Sequence, residues 1–196
     1  MSLVTLTENS DWNPLETTLF GGFSQLFYKN CHIKNHASKK LILPATELTR
    51  DCYCEMFKEC TSLTAAPSLP AETLAKNCYG SMFSGCTSLT TAPELKATTL
   101  AEHCCDSMFA RCTSLTAAPE LPAETLAERC YGCMFYGCTR LQYVKCLATN
   151  ISSAYCTSYW LEGVSTSGTF VKAKDMTSWE RGASGIPSGW TIKDAE

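Results

Sequence analysis

The chain has 196 residues, 45% of them hydrophobic, with a formal net charge of −3. That composition excludes a disordered polyelectrolyte, and the slightly acidic balance carries no basic footprint for nucleic acid. No apolar run approaches the roughly 18 residues needed to cross a bilayer, so the chain itself is not expected to insert into a membrane.

Residues 1–19 carry no repeat signal, and Asn13-Pro14 reads as a turn. The opening MSLVTLTENSDW lacks both a basic segment and an apolar core, so it is not a signal peptide. From Phe20 to Cys31 the chain looks like a worn copy of a repeat that begins at Leu48. Phe23, Leu26 and Phe27 can be laid on Tyr53, Met56 and Phe57, and Leu43-Pro44 on Leu69-Pro70. Between them the basic stretch from His32 to Lys40 is longer than its counterparts and is expected to be a surface loop. Residues 1–47 are therefore expected to form an N-terminal segment and a degenerate capping coil.

From Leu48 to Ile151 one phrase is written four times. Cys52, Cys78, Cys104 and Cys130 step by 26 residues, as do Cys60, Cys86, Cys112 and Cys138, and Phe57, Phe83, Phe109 and Phe135. A fixed period in the range of about 20–50 residues signals stacked repeats. Within one repeat, Leu74, Cys78, Met82 and Cys86 recur every fourth position, with Ala75, Tyr79 and Phe83 beside them. Two such ridges predict an amphipathic helix over about 74–84, opened by Thr73, Thr99 or Thr125 as N-caps and closed by Gly85 and Gly137. Pro67, Pro93 and Pro119 form a further column. Proline cannot donate to a ladder, so the second half of each repeat is expected to hold a strand of three or four residues, such as Leu89–Ala92, in a parallel sheet.

The fourth copy fades at Gln142–Lys145, and Cys156 stands one period beyond Cys130, implying a partial fifth coil. The solenoid is thus expected over 48–162. Residues 163–196 change composition and are expected to form a small β-type cap, with a strand at Thr169–Lys172 and a turn flanked by strand residues at 184–192. Tyr136, Tyr143, Tyr155, Tyr159 and Trp160 crowd this end. They are expected to plug the open core, with Tyr143 the best candidate for an exposed contact.

Fourteen cysteines are many for such a chain. Eight lie in the two periodic columns, which favours buried thiols over disulfides or metal, because every rung of a stack needs the same small apolar side chain. Cys130-Tyr-Gly-Cys133 is a lone CxxC without a second ligand pair, so a redox or zinc role is outweighed, as it is for Cys52/Cys54 and Cys104/Cys105. Cys54, Cys105 and Cys133 lie off the columns and are the thiols to examine for exposure or pairing. His32 and His36, beside Lys34, Lys39 and Lys40, read as solvated loop, and His103 as surface. Glu94 and Glu120 share a column by repetition, not as a glycosidase pair. No G-x-S-x-G, phosphate-loop or H-E-x-x-H pattern occurs, so no catalytic, metal or cofactor residue is expected and the chain reads as a non-enzyme. The expected contact residues are Thr64, Thr90, Glu94, Thr116, Glu120 and Tyr143.

The units MFSGCTSLTTAPEL and LPAETLAERCYGCMF, with the ending GTFVKAKDMTSWERGASGIPSGWTI, resemble the BspA-type leucine-rich-repeat surface proteins over roughly residues 20–192. The period of 26 is slightly longer than that family's usual unit, and the cysteine columns depart from it. The resemblance implies an α/β, right-handed leucine-rich-repeat solenoid, with short parallel strands and one helix per coil. It also implies a bacterial protein, secreted or on the cell surface, whose leader has been trimmed. The implied function is adhesion to a protein partner, a host matrix protein or another cell, with a carbohydrate-binding module as the alternative and a glycan as the other partner.

Overall fold

A computed structural model describes residues 22–36, 38, 41–177 and 179–196. The expected turn at Asn13-Pro14, the start of the worn copy at Phe20, and Lys39 and Lys40 of the basic loop lie outside the described residues. The repeats stack. The rings of Phe27, Phe57, Phe83, Phe109 and Phe135 follow one another at 5.4, 5.6, 5.6 and 5.7 Å between centroids. Phe23, Tyr53 and Tyr79 make a second column at 5.7 and 6.2 Å. Leu63, Leu89, Leu115 and Leu141 line the same interior, each at most 1% exposed.

The expected helix is absent, and with it the α/β leucine-rich-repeat solenoid. Among the described residues there are no helices and three short strands in one parallel sheet. What replaces the helix is a run of consecutive four-residue turns. Within the second coil Cys54, Met56, Lys58 and Cys60 donate their amides three residues back, to Asp51, Tyr53, Glu55 and Phe57. The residues between them, Asp51, Tyr53, Glu55, Phe57 and Glu59, donate to the next coil, at Lys76, Cys78, Gly80, Met82 and Ser84. Each amide is satisfied, half locally and half across the stack, so no helical ladder is needed.

Every fourth residue on this wall is left-handed. Asp51, Glu55 and Glu59 have φ of 59°, 55° and 60°; Asn77, Ser81 and Gly85 continue the pattern at 55°, 50° and 76°. The apolar period of four that suggested a helix belongs to this geometry. At 3.6 residues per turn, a strict four-step gains about 40° each time and drifts off one face within three steps. A turn ribbon returns to the same face every four residues without drift. Gly85 and Gly137 are left-handed as a helix stop would be, but they close the third turn of each series. The N-cap threonines are likewise reassigned: Thr73 bridges Thr99, and Thr125 bridges Asn150, in parallel.

This geometry reverses the sign of a substitution. Ser81→Gly is expected to stabilise by about 0.5–1 kcal/mol, because a left-handed L-residue costs about 1–2 kcal/mol that glycine avoids. In a helix the same change would destabilise. Ser81→Val is expected to cost about 1 kcal/mol or more, since a β-branched residue is a poor left-handed residue. Urea unfolding of the two variants against the parent reads the difference.

On the opposite side the repeats meet through isolated parallel bridges instead of the three- or four-residue strands expected. The second and third coils join at Ala65–Thr91, Leu69–Leu95 and Thr73–Thr99. Among the described residues continuous strand appears only beyond the proline columns, in β1 (Tyr143–Cys146), β2 (Gly168–Lys172) and β3 (Trp190–Asp194), ordered β1-β2-β3 and all parallel. Here the fourth copy has lost both proline and one residue, for Leu121 bridges Cys146, 25 positions on, not 26. Lys145 stands where the period places a proline, and its amide permits the ladder. The C-terminal segment thus extends the stack, and Trp160 closes the core, stacked on Trp179 at 5.4 Å and edge-on to Phe170 at 5.9 Å. A side chain on Gly168 would meet the Gln142 carbonyl at 2.6 Å and the Trp190 ring at 2.7 Å, so only glycine starts β2.

Candidate functional site

The expected contact residues sit on the bridge side. Thr64, Thr90 and Thr116 are all exposed and share one column. The amide and hydroxyl of Thr90 both donate to the Thr64 carbonyl, at 2.9 and 3.1 Å. Thr116 accepts instead from the Gln142 amide at 2.9 Å. Between the third and fourth coils no bridge joins the two halves among the described residues. The column is therefore two pairs, Thr64/Thr90 and Thr116/Gln142, not one continuous row.

Thr64 has a further partner that the repeat pattern does not announce. Asn35, from the longer loop, accepts at Oδ1 from the Thr64 amide and hydroxyl and from the Ala65 amide, at 3.0, 2.9 and 2.9 Å. Its Nδ2 donates to the Ala65 carbonyl at 2.8 Å. One side chain thereby stands in for the strand backbone that the worn coil lacks. Glu94 and Glu120 are exposed, and Glu120 is held by Lys145 at 3.0 Å. Tyr143 opens β1, paired with Ala117 on one side and Thr169 on the other, and is 40% exposed.

The tyrosine cluster divides. Trp160 is fully buried, whereas Tyr155 and Tyr159 are 69% and 51% exposed. Both are left-handed, at φ of 55° and 54°, in the outward columns of the turn wall. Tyr136 is exposed on the same wall. The plug is thus the tryptophan pair, and the tyrosines are available surface; Tyr155 is more exposed than Tyr143.

The turn wall is polar and internally paired. Asp106 accepts at Oδ2 from Arg129 Nε at 2.7 Å and faces His103 Nδ1 at 3.0 Å, and Ser107 donates to its Oδ1 at 3.0 Å. Lys76 holds Glu102 at 2.7 Å and lowers its pKa. His103 belongs to this lattice and is only half-exposed. His36 Nδ1 is engaged by the Ser38 amide at 3.2 Å.

All fourteen thiols are free. Cys60, Cys86, Cys112 and Cys138 each donate S–H to the phenylalanine carbonyl one coil back, Phe27, Phe57, Phe83 and Phe109, at 3.0–3.2 Å. Each of those carbonyls already accepts a backbone amide from its own coil, so the thiol meets the second lone pair. That is a reason for sulfur in this column beyond size. Cys105 is not a stray thiol: it fills the slot of Tyr53, Tyr79 and Tyr131 and is fully buried. Of the CxxC pair, Cys130 is buried in its column, while Cys133 is half-buried in a left-handed outward position at φ 49°. Among the described residues no group of three or more His, Cys, Asp or Glu is arranged to hold a metal ion.

Burial pushes the Cys86, Cys138 and Cys146 thiols up to about 12. Only the thiolate reacts with alkylating reagents. In the native protein at neutral pH, Cys31 is expected to be modified quickly and Cys54 and Cys133 slowly, with the remainder appearing only in denaturant. Mass spectrometry after timed iodoacetamide labelling reads the order. Fast native labelling of Cys86 or Cys112 would contradict a closed, continuously packed interior.

No protein-family model matches the chain. None of the curated proteins matches it. Among solved structures, likewise, none is a match.

Proposed function

We propose that the chain is a surface-displayed interaction protein that holds a protein partner on a repeat-built face, as an adhesin does. The observation that carries this reading is an extended, repeated and exposed polar face, Thr64/Thr90 and Thr116/Gln142 with Glu94, Glu120 and Tyr143 beside it, on a rigid stack. Side chains on a stacked scaffold are preordered, so a partner meets little entropic cost in fixing them. The phrases that resemble the BspA-type surface proteins support a placement outside the cell and a host matrix protein or another cell as partner.

The test is capture of immobilised host matrix proteins by the parent and by a Thr64→Lys/Thr90→Lys/Thr116→Lys triple variant. Saturable binding by the parent, weakened about tenfold or more by the variant, is the expected result. Equal binding by both would move the contact off this face, and no binding to any protein would end the reading. The exposed Tyr136, Tyr155 and Tyr159 favour a glycan as the second reading, since aromatic faces serve sugars as well as proteins. A glycan array with no saturable signal removes it.

A further inference from the structure

At the C-terminal end of the turn wall the backbone ladder stops with its donors still in place. In the preceding coil Arg129, Tyr131, Cys133, Phe135 and Gly137 donate forward to Ala154, Cys156, Ser158, Trp160 and Glu162, at 2.8–3.0 Å. The equivalent amides of the last coil are those of Tyr155, Thr157, Tyr159, Leu161 and Gly163. Among the described residues they donate to no carbonyl. Residues 179–185 pass over this end, with Trp179 stacked on Trp160, and are tied down by side chains. Thr157 Oγ1 donates to the Ser184 carbonyl and Trp160 Nε1 to the Gly185 carbonyl, each at 2.8 Å.

A groove is left between the two. Tyr155, Thr157 and Ser158 line one wall, and Thr177, Trp179 and Glu180 the other. The indole N–H of Trp179 is the buried side-chain polar atom without a partner among the described residues. Glu180 is the one charged residue of the lining among the described residues. Among the described residues it forms no ion pair, and the neighbouring Arg181 is engaged with the carbonyls of Pro187 and Trp190.

We propose that this groove takes an extended polypeptide segment of a partner protein, whose alternate carbonyls continue the ladder by accepting from the Tyr155 and Thr157 amides in the groove and the Tyr159 amide next along the row, and which places a lysine or arginine against Glu180. A row of donors at every second residue matches a polypeptide backbone, as in strand addition to an open sheet edge. A sugar offers no such repeat. The first coil of a second copy carries alternate carbonyls, at Ser24, Leu26 and Tyr28, but Trp179 on Trp160 and residues 184–185 on Thr157 and Trp160 occupy the end of the core where a whole coil would seat. This proposal rests on the reading that the partner is a protein, and it locates a contact at the end of the stack.

The experiment pans a library of random displayed peptides on the full chain, with a Tyr155→Ala/Glu180→Lys variant as counter-target. Both residues are exposed, and thermal unfolding checks that the variant is folded. Expected are peptides rich in Lys or Arg and β-branched residues. Their binding should slow hydrogen exchange at the Tyr155, Thr157 and Tyr159 amides about tenfold or more. Glu180→Lys should weaken them about tenfold, and exchanging the peptide's basic residue for glutamate should restore most of that loss. The proposal is overturned by no enrichment over the counter-target, by peptides that leave those amides unprotected, or by saturable glycan binding that protects them instead. Self-association in sedimentation that Glu180→Lys abolishes would also overturn it, by assigning the end to a second copy. Because isolated peptides are used, failure here alongside retained capture of a matrix protein by the threonine face would sink the groove alone.

Discussion

Phe83→Ala should lower the unfolding free energy by about 3–5 kcal/mol, the range for emptying a buried aromatic site. Phe83 is fully buried, with Phe57 and Phe109 stacked on it at 5.6 Å on either side and nearly parallel to it at 2° and 9°. Removing the ring takes away two aromatic contacts as well as the transfer free energy, and each such contact contributes about 0.5–1.5 kcal/mol. Collapse is hindered because the backbone of each coil is bonded to the next through alternate amides, Phe57 to Met82 and Phe83 to Met108, both at 2.9 Å. The coils cannot close on the gap without stretching that ladder. For a chain of this length the expected drop in thermal midpoint is about 10 °C. Phe83→Leu should cost far less. Combining Phe83→Ala with Phe109→Ala should fall short of the sum of the two, since they share a contact. A loss below about 1 kcal/mol for Phe83→Ala would show that the column is not a continuous packed interior.

Alkali should destabilise this protein steeply, through its buried thiols. Cys86, Cys138 and Cys146 are fully buried, and desolvation raises each from the ordinary 9.0 to about 12. Cys78, Cys105 and Cys112 are raised as well, Cys105 chiefly by its bond to Cys104 and the others by burial. The folded state therefore keeps its thiols neutral where the unfolded chain gives up protons. A group whose folded pKa is raised contributes stability that is fully present below the unfolded value and lost as pH climbs toward the folded one. The window opens near 9 and runs toward 12. Each thiol loses about 1.4 kcal/mol per pH unit inside that window. The three at about 12 alone should lower stability by about 4 kcal/mol between pH 8 and 10, and the others add to this. Urea midpoints measured under reductant across that range read the slope, and Cys86→Ala should flatten it by one thiol's share. A flat profile would mean that the thiols ionise as freely in the stack as in the open chain.

The period of 26 is legible because a stack writes each interior slot once per coil. Phe57, Phe83, Phe109 and Phe135 are the same letter for the same space, and even the worn copy aligns, Phe23 meeting Tyr53 and Phe27 meeting Phe57. The helix expectation fails because side-chain pattern reports which residues face inward, not which backbone brings them there. Apolar pairs every four residues suit a helical face over two turns and a turn ribbon over any length. The discriminating letters are in the outward column, Asp51, Asn77 and His103, residue types that tolerate left-handed backbone.

What the sequence determined by itself is composition, repetition and the contents of each interior column, because local chemistry and spacing suffice for those. Where amides go once neighbouring coils meet was left to the tertiary structure. Only there does Asn35 substitute for a strand, the threonine column break between Thr90 and Thr116, and the last coil present Tyr155, Thr157 and Tyr159 with no carbonyl among the described residues to receive their amides. Hydrogen bonds between coils join residues about 25 apart, and no local preference encodes whether the acceptor at the far end is there.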